Sequence, residues 1–249
     1  MTKMKNIITI LFFIFCISSS NANDNMQLKK KNINSKNEMS LQKGARIFFD
    51  YCQGCHSLKY MRYFDLAKGI GIKNSKNESL EETIRNFFMH SINNISEHSP
   101  ILTSISKEYG IKWFGKIPPD LSLISRYRGD DWLYTYMTTF YKDLSRPWGV
   151  NNLLFPDVGM PHILLNLQGI QILKENVNNS NELLELIEKG NLTISEYNNV
   201  IKDLVTFLSY VGEPIKMERI DLGYKVLTFL FILVILLFFL KTEYWKDVK

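Results

Sequence analysis

Two continuous apolar stretches lie near the ends of this 249-residue chain, Ile7 to Ile17 and Val226 to Leu240. Between them, apolar positions recur mostly at helical spacing. Ile47, Phe48, Tyr51 and Cys52 form one apolar face at the end of a helix that opens near Ser40 as its cap. Ser79-Leu80-Glu81-Glu82 has the form of a capping box ahead of Ile84, Phe87 and Phe88. Pro118-Pro119-Asp120 opens a short helix predicted over Leu121 to Tyr127 and ended by Gly129, and Asp130-Asp131 starts another through Tyr141. Val200, Ile201, Leu204, Val205, Leu208 and Val211 share one face of a helix that Gly212 and Pro214 stop. Alternating, strand-type patterns are few, so the chain reads as mainly α.

The two apolar stretches differ in length and in their flanks. Lys3 and Lys5 precede the first, and Ser18-Ser19-Ser20-Asn21-Ala22 follows it. A charged start, a short apolar run and small residues predict a secretory signal over residues 1–22, cleaved after Ala22. As an uncleaved anchor the run is short. The polar segment 23–39 is then a flexible lead-in, and Lys174 to Glu182 a surface loop. The second stretch, extended back over 222–240, gives about 19 residues, or roughly 28 Å of helix. A buried core helix is the competing reading, but this run is apolar on every side, as a membrane span is. Lys225 can extend its amine to the headgroups, and Tyr224, Tyr244 and Trp245 fit interface positions. Lys241, Lys246 and Lys249 follow, which predicts a cytoplasmic tail over 241–249 and a body, 40–221, on the opposite side. Much of the formal net charge of +5 belongs to these end segments, and the body is near neutral. No basic stripe with interleaved aromatics is present, so no nucleic-acid partner is expected.

Composition changes the picture at the cysteines. The chain has three, and Cys16 lies within the first apolar stretch. The body therefore keeps only Cys52 and Cys55, in Cys52-Gln53-Gly54-Cys55-His56. Two thiols three residues apart and an adjoining imidazole form the attachment pattern of c-type haem. Residues three and four apart share a helix face, so both thiols can reach the vinyl edges of one porphyrin and His56 can ligate its iron. A thioredoxin-like dithiol needs a strand ahead of the motif, and Ser40 to Tyr51 reads as helix. A zinc site needs further Cys or His at short spacing, whereas His90, His98 and His162 are isolated.

A second iron ligand would favour electron transfer over small-molecule binding. Met160 stands out in Gly159-Met160-Pro161-His162, because Pro161 extends the backbone and Gly159 permits close approach to a porphyrin. Met137 reads as core and Met61 lies too near His56 to cross to the other face, while His162 stays open as an alternative ligand.

The run Cys52 to Tyr63, Pro118-Pro119-Asp120-Leu121-Ser122, the segment Phe155 to Gln168, and Leu204 to Pro214 before the apolar end occur in one order. In that order they resemble the cytochrome c1 family, the haem subunits of bacterial cytochrome bc1 complexes. The resemblance implies a class I cytochrome c-like haem domain with a single C-terminal transmembrane helix. It implies one covalently attached haem c held by Cys52 and Cys55, with His56 proximal and Met160 distal. It places Arg128 near a haem propionate. Trp132 stands where the family usually has Tyr, and it can donate only through its indole N–H; Arg126 is a nearby alternative for the propionate. The implied partners are cytochrome b, a Rieske iron–sulfur protein, a soluble cytochrome c or equivalent acceptor, and the lipid bilayer. The implied place is the bacterial inner membrane with the haem domain periplasmic. The implied role is single-electron relay, with quinol oxidation left to the assembled complex. Small and aromatic residues, Gly44 and Phe48 against Phe207 and Tyr210, would allow the close helix crossing such a fold requires.

Overall fold

Two helices cross where a glycine leaves no side chain between them. In the computed structural model, which describes residues 27–73, 79–88, 96–174 and 183–246, α1 spans Glu38–Ile47 and α8 spans Ile194–Gly212. A Cβ on Gly44 would come within 2.0 Å of the Asp203 carbonyl oxygen and 2.7 Å of Phe207 Cβ. Beside this contact the rings of Phe48 and Phe207 meet at 5.6 Å, and Ser40 Oγ donates to Asp203 Oδ1. The expected crossing is therefore present. Tyr210 packs instead beside Gly69, where a Cβ would meet its hydroxyl at 1.7 Å.

The predicted segments 1–22 and most of Lys174 to Glu182 lie outside the described residues, as do His90 and the last three positions. Helix α1 is capped by Asn37, whose Oδ1 accepts from Ser40 N at 3.2 Å. Ser40 thus sits inside the helix rather than at its start. After Ile47 the helix widens into a π turn, Phe48–Cys52. Then follow β1 (Leu58–Arg62), α2 (Tyr63–Gly69), α3 (Leu80–Phe88), β2 (Pro100–Ile101) and α4 (Lys107–Phe114). Ser79 caps α3 as expected, its Oγ accepting from Glu82 N at 3.2 Å.

Helix α5 covers Ile124–Arg128 and ends at Gly129, whose φ of 91° favours glycine. It starts later than Leu121 because residues 118–123 form a loop bonded to β1. Helix α6 covers Asp130–Thr138 and stops short of Tyr141. Phe140–Lys142 is instead β3, paired antiparallel with β4, Val150–Asn152. Asn152 Nδ2 donates to the Tyr136 carbonyl at 2.7 Å, beside the longer 3.3 Å bond from Thr139 N at the end of the helix. Helix α7 (Leu165–Gln168) leads into the hairpin of β5 (Gly169–Leu173) and β6 (Leu184–Lys189).

Helix α8 is the spine. Thr193 and Glu196 close a capping box at its start. Ile201, Leu204, Val205, Phe207, Leu208 and Val211 are buried against α1, α5 and α6. After Glu213, Pro214 and Ile215 comes α9, Lys216–Tyr244, which contains the expected span 222–240 and has no buried residue. It is long and apolar enough to cross a membrane. Glu213 is paired with Arg126 of α5, Nη1 to Oε2 at 3.0 Å, and with Arg219 of α9.

Candidate functional site

The π turn delivers Cys52, Cys55 and His56 to one place. Gln53 N bonds the Phe48 carbonyl at 2.9 Å, five residues back, and the N–H groups of Cys55 and His56 both donate to the Cys52 carbonyl. The loop after it is anchored from residues 102–103: Gln53 Nε2 donates to the Leu102 carbonyl and Thr103 Oγ1 to the Gly54 carbonyl. Cys52 is buried, and desolvation pushes its thiol up to about 12, so it stays protonated. Cys55 is half-buried, and burial raises its thiol pKa as well.

His56 Nδ1 lies 2.8 Å from the Pro119 carbonyl oxygen. A carbonyl only accepts, so Nδ1 carries the proton and Nε2 keeps its lone pair. Burial lowers the imidazole pKa, with the Pro119 carbonyl and Asp120 opposing, and favours the neutral, ligating form. The Pro119 carbonyl is itself positioned. Asp120 Oδ2 accepts from Lys59 N, Ser122 Oγ accepts from Tyr60 N, and Leu121 N donates to the Ser57 carbonyl. Pro-Pro-Asp-Leu-Ser is therefore a clamp on β1 that aims one carbonyl at His56.

A cleft opens here, lined by Cys55, His56, Phe114 and Pro118 together with Gly159, Met160 and Pro161. The methionine loop is held from β4. Asn152 Oδ1 accepts from the N–H groups of Leu154 and Phe155, and Asn151 Oδ1 accepts from Asp157 N at 3.0 Å. Asp157 has φ 62°, a left-handed conformation that Asp tolerates, and pairs with Arg146. A Cβ on Gly159 would meet Lys116 Cε at 2.6 Å, so the close approach expected of this glycine is made to Lys116.

Other sequence candidates are set apart. His162 does not line this cleft. It is buried and stacked on Phe140 at 4.8 Å, with Nε2 2.6 Å from Gln168 Oε1, and burial brings its pKa down to about 4. Its Nδ1 has no hydrogen-bond partner among the described residues. Met61 and Met137 are core, and His98 is exposed beside Phe64. Arg128 lies over the rings of Tyr127, Trp132 and Phe155 at 4.9, 4.9 and 5.8 Å. Arg126 is engaged with Glu213.

Tyr136 had drawn no attention in the sequence. Its hydroxyl donates to Met160 Sδ at 3.5 Å. Burial raises its pKa, so the phenol keeps the proton it donates. The spacing of Trp132, Tyr136 and Phe140, one helical turn each, was the available signal.

The donor set fits a haem. It offers the Cys55 thiol, an imidazole with Nε2 free of the Pro119 bond, and a thioether around a largely apolar cleft, with the Cys52 thiol buried three residues before Cys55.

A model of the cytochrome C1 family matches residues 29–248. The chain is 43% identical over 227 residues to a cytochrome c1 of Allochromatium vinosum, covering 89% of each. It is 39% identical over 242 residues to a protein of Nitrosomonas europaea named ammonia monooxygenase gamma subunit, covering 97% of each. Among solved structures, a chain of a hyperthermophilic respiratory complex III aligns at TM-score 0.44 and 14% identity, over 100% of this chain and 98% of that one.

Proposed function

The chain belongs to the cytochrome c1 family, and on that premise we propose that it relays single electrons from a Rieske iron–sulfur protein to a soluble cytochrome c, as the haem subunit of a quinol–cytochrome c reductase. Membership brings with it a haem, a place in respiratory electron transport, and cytochrome b and a Rieske protein as partners. The bound haem supplies the one-electron chemistry.

The residues divide the remaining work. Cys52 and Cys55 would hold the haem covalently through their sulfurs, which would retain the cofactor outside the cytoplasm. His56 would ligate the iron through Nε2, oriented by the Nδ1–H bond to Pro119. Met160 would supply a thioether from Sδ, and thioether ligation would raise the potential. Arg128 would pair with a propionate. Two such protein ligands would favour electron relay over oxygen chemistry at the iron. The segment 222–240 of α9 anchors the chain in the bacterial inner membrane, residues 241–249 are cytoplasmic, and residues 40–221 are periplasmic after loss of residues 1–22.

The observation that carries this reading is the 2.8 Å bond that fixes the His56 tautomer beside the cleft it shares with Met160. Denaturing electrophoresis with a haem stain tests it: colour is expected to stay with the polypeptide, and a colourless band sinks the covalent assignment. Met160→Leu is expected to abolish the methionine–iron charge-transfer band and lower the potential, and an unchanged spectrum would return the ligand question to His162. Purification is expected to yield cytochrome b and the Rieske protein with it.

A further inference from the structure

Tyr136 is built into the protein so that its hydroxyl has one place to point. Its ring stacks on Trp132 at 5.1 Å and 9°, and meets the edge of Phe140 at 5.2 Å. Phe155 closes a third side at 6.5 Å. Trp132 and Tyr136 lie one turn apart on α6, and Phe140 is itself pinned in β3, opposite Asn152. A phenol held this way cannot swing aside without disturbing three other rings. Its Oη–H donates to Met160 Sδ at 3.5 Å.

A thioether sulfur has two lone pairs. A sulfur bound to iron through one would keep the other as an acceptor for Tyr136. A hydrogen bond there has two effects. It fixes the rotation of the methionine side chain, and it draws electron density from the sulfur. A poorer sulfur donor stabilises ferric iron less than ferrous iron, so the potential rises.

We propose that Tyr136 is a positioning residue that orients Met160 and raises the haem potential through its hydrogen bond to Sδ. The inference rests on the reading of Met160 as the distal ligand.

The test uses the full-length, haem-loaded protein and the variant Tyr136→Phe, which keeps every ring contact and deletes only the hydroxyl. The midpoint potential is expected to fall, giving a roughly fivefold higher ferric-to-ferrous ratio at a fixed poise, the size expected for loss of one hydrogen bond. The methionine–iron charge-transfer band is expected to persist and move. An unchanged potential and band in a correctly loaded variant overturn the proposal while leaving Met160 as ligand. A wild-type protein without that band overturns the ligand reading, and this proposal with it. Should Tyr136→Phe fail to mature, the wild-type protein answers alone: after full exchange into deuterated buffer the iron–sulfur stretching band is expected to shift, and a stationary band overturns the proposal.

Discussion

Helices α8 and α9 follow one another with three residues between them, yet they are stabilised in opposite ways. The first, 19 residues long, is buried without a break from Leu204 to Ser209 and carries a reciprocal capping box. The second, 29 residues long, buries nothing within the chain and has no side-chain bond at its N-cap, Ile215. A helix in water owes its stability to a packed stripe and to satisfied ends. A helix in hydrocarbon satisfies its own backbone, and its side chains need only be apolar. The pair shows that the same backbone geometry carries different information in each: position by position in α8, and only as length and composition in α9.

Substitutions matched between the two regions can break this contrast. The largest effect is expected at glycine. Gly44→Leu places a side chain where Asp203 and Phe207 already stand, whereas nothing lies within 4 Å of a Cβ on Gly223. Gly44→Leu is expected to yield no folded haem domain by circular dichroism, and Gly223→Leu a normal one. Equal damage from both would show that α9 is packed as specifically as α8. Next in size are the phenylalanines. Phe207 is fully buried and Phe231 exposed, so Phe207→Ala is expected to cost about 3–5 kcal/mol in denaturant unfolding of the haem domain, and Phe231→Ala nothing measurable.

The smallest effect sharpens the contrast at the caps. Thr193→Ala is expected to cost about 1 kcal/mol, while Ile215→Ala leaves stability as it was. The Thr193 N–H and hydroxyl hold the Glu196 carboxyl below its ordinary pKa of 4.5. A carboxyl with a depressed folded pKa stabilises the native state above its unfolded value. That contribution fades as pH falls through the folded one. The gap between wild type and Thr193→Ala is thus expected to be full at about pH 7 and to narrow at about pH 3. A gap that widens in acid would refute the reciprocal cap.

How much of this was legible in the sequence depended on distance along the chain. The buried face of α8 repeats every helical turn and could be read directly. So could the thiol pair with its imidazole, and the glycine–methionine–proline step. The early stop of α6 could not, because β3 ends the helix by pairing with Val150–Asn152, well downstream. The clamp around Pro119 could not, because the group that meets His56 is a backbone carbonyl, which every residue has. Asn37 was hidden inside a polar lead-in that reads as featureless. The ion pair of Arg126 could not be read either, because its partner, Glu213, lies beyond three further helices.

That last pair sets how far the electron-carrying centre can travel. Glu213 grips α5 through Arg126 and α9 through Arg219. Even released, the three residues between α8 and α9 would extend to at most roughly 10 Å. With α9 seated in a bilayer as proposed, so short a joint would keep the haem domain beside the membrane surface. A donor and an acceptor would then have to bring their own centres to it.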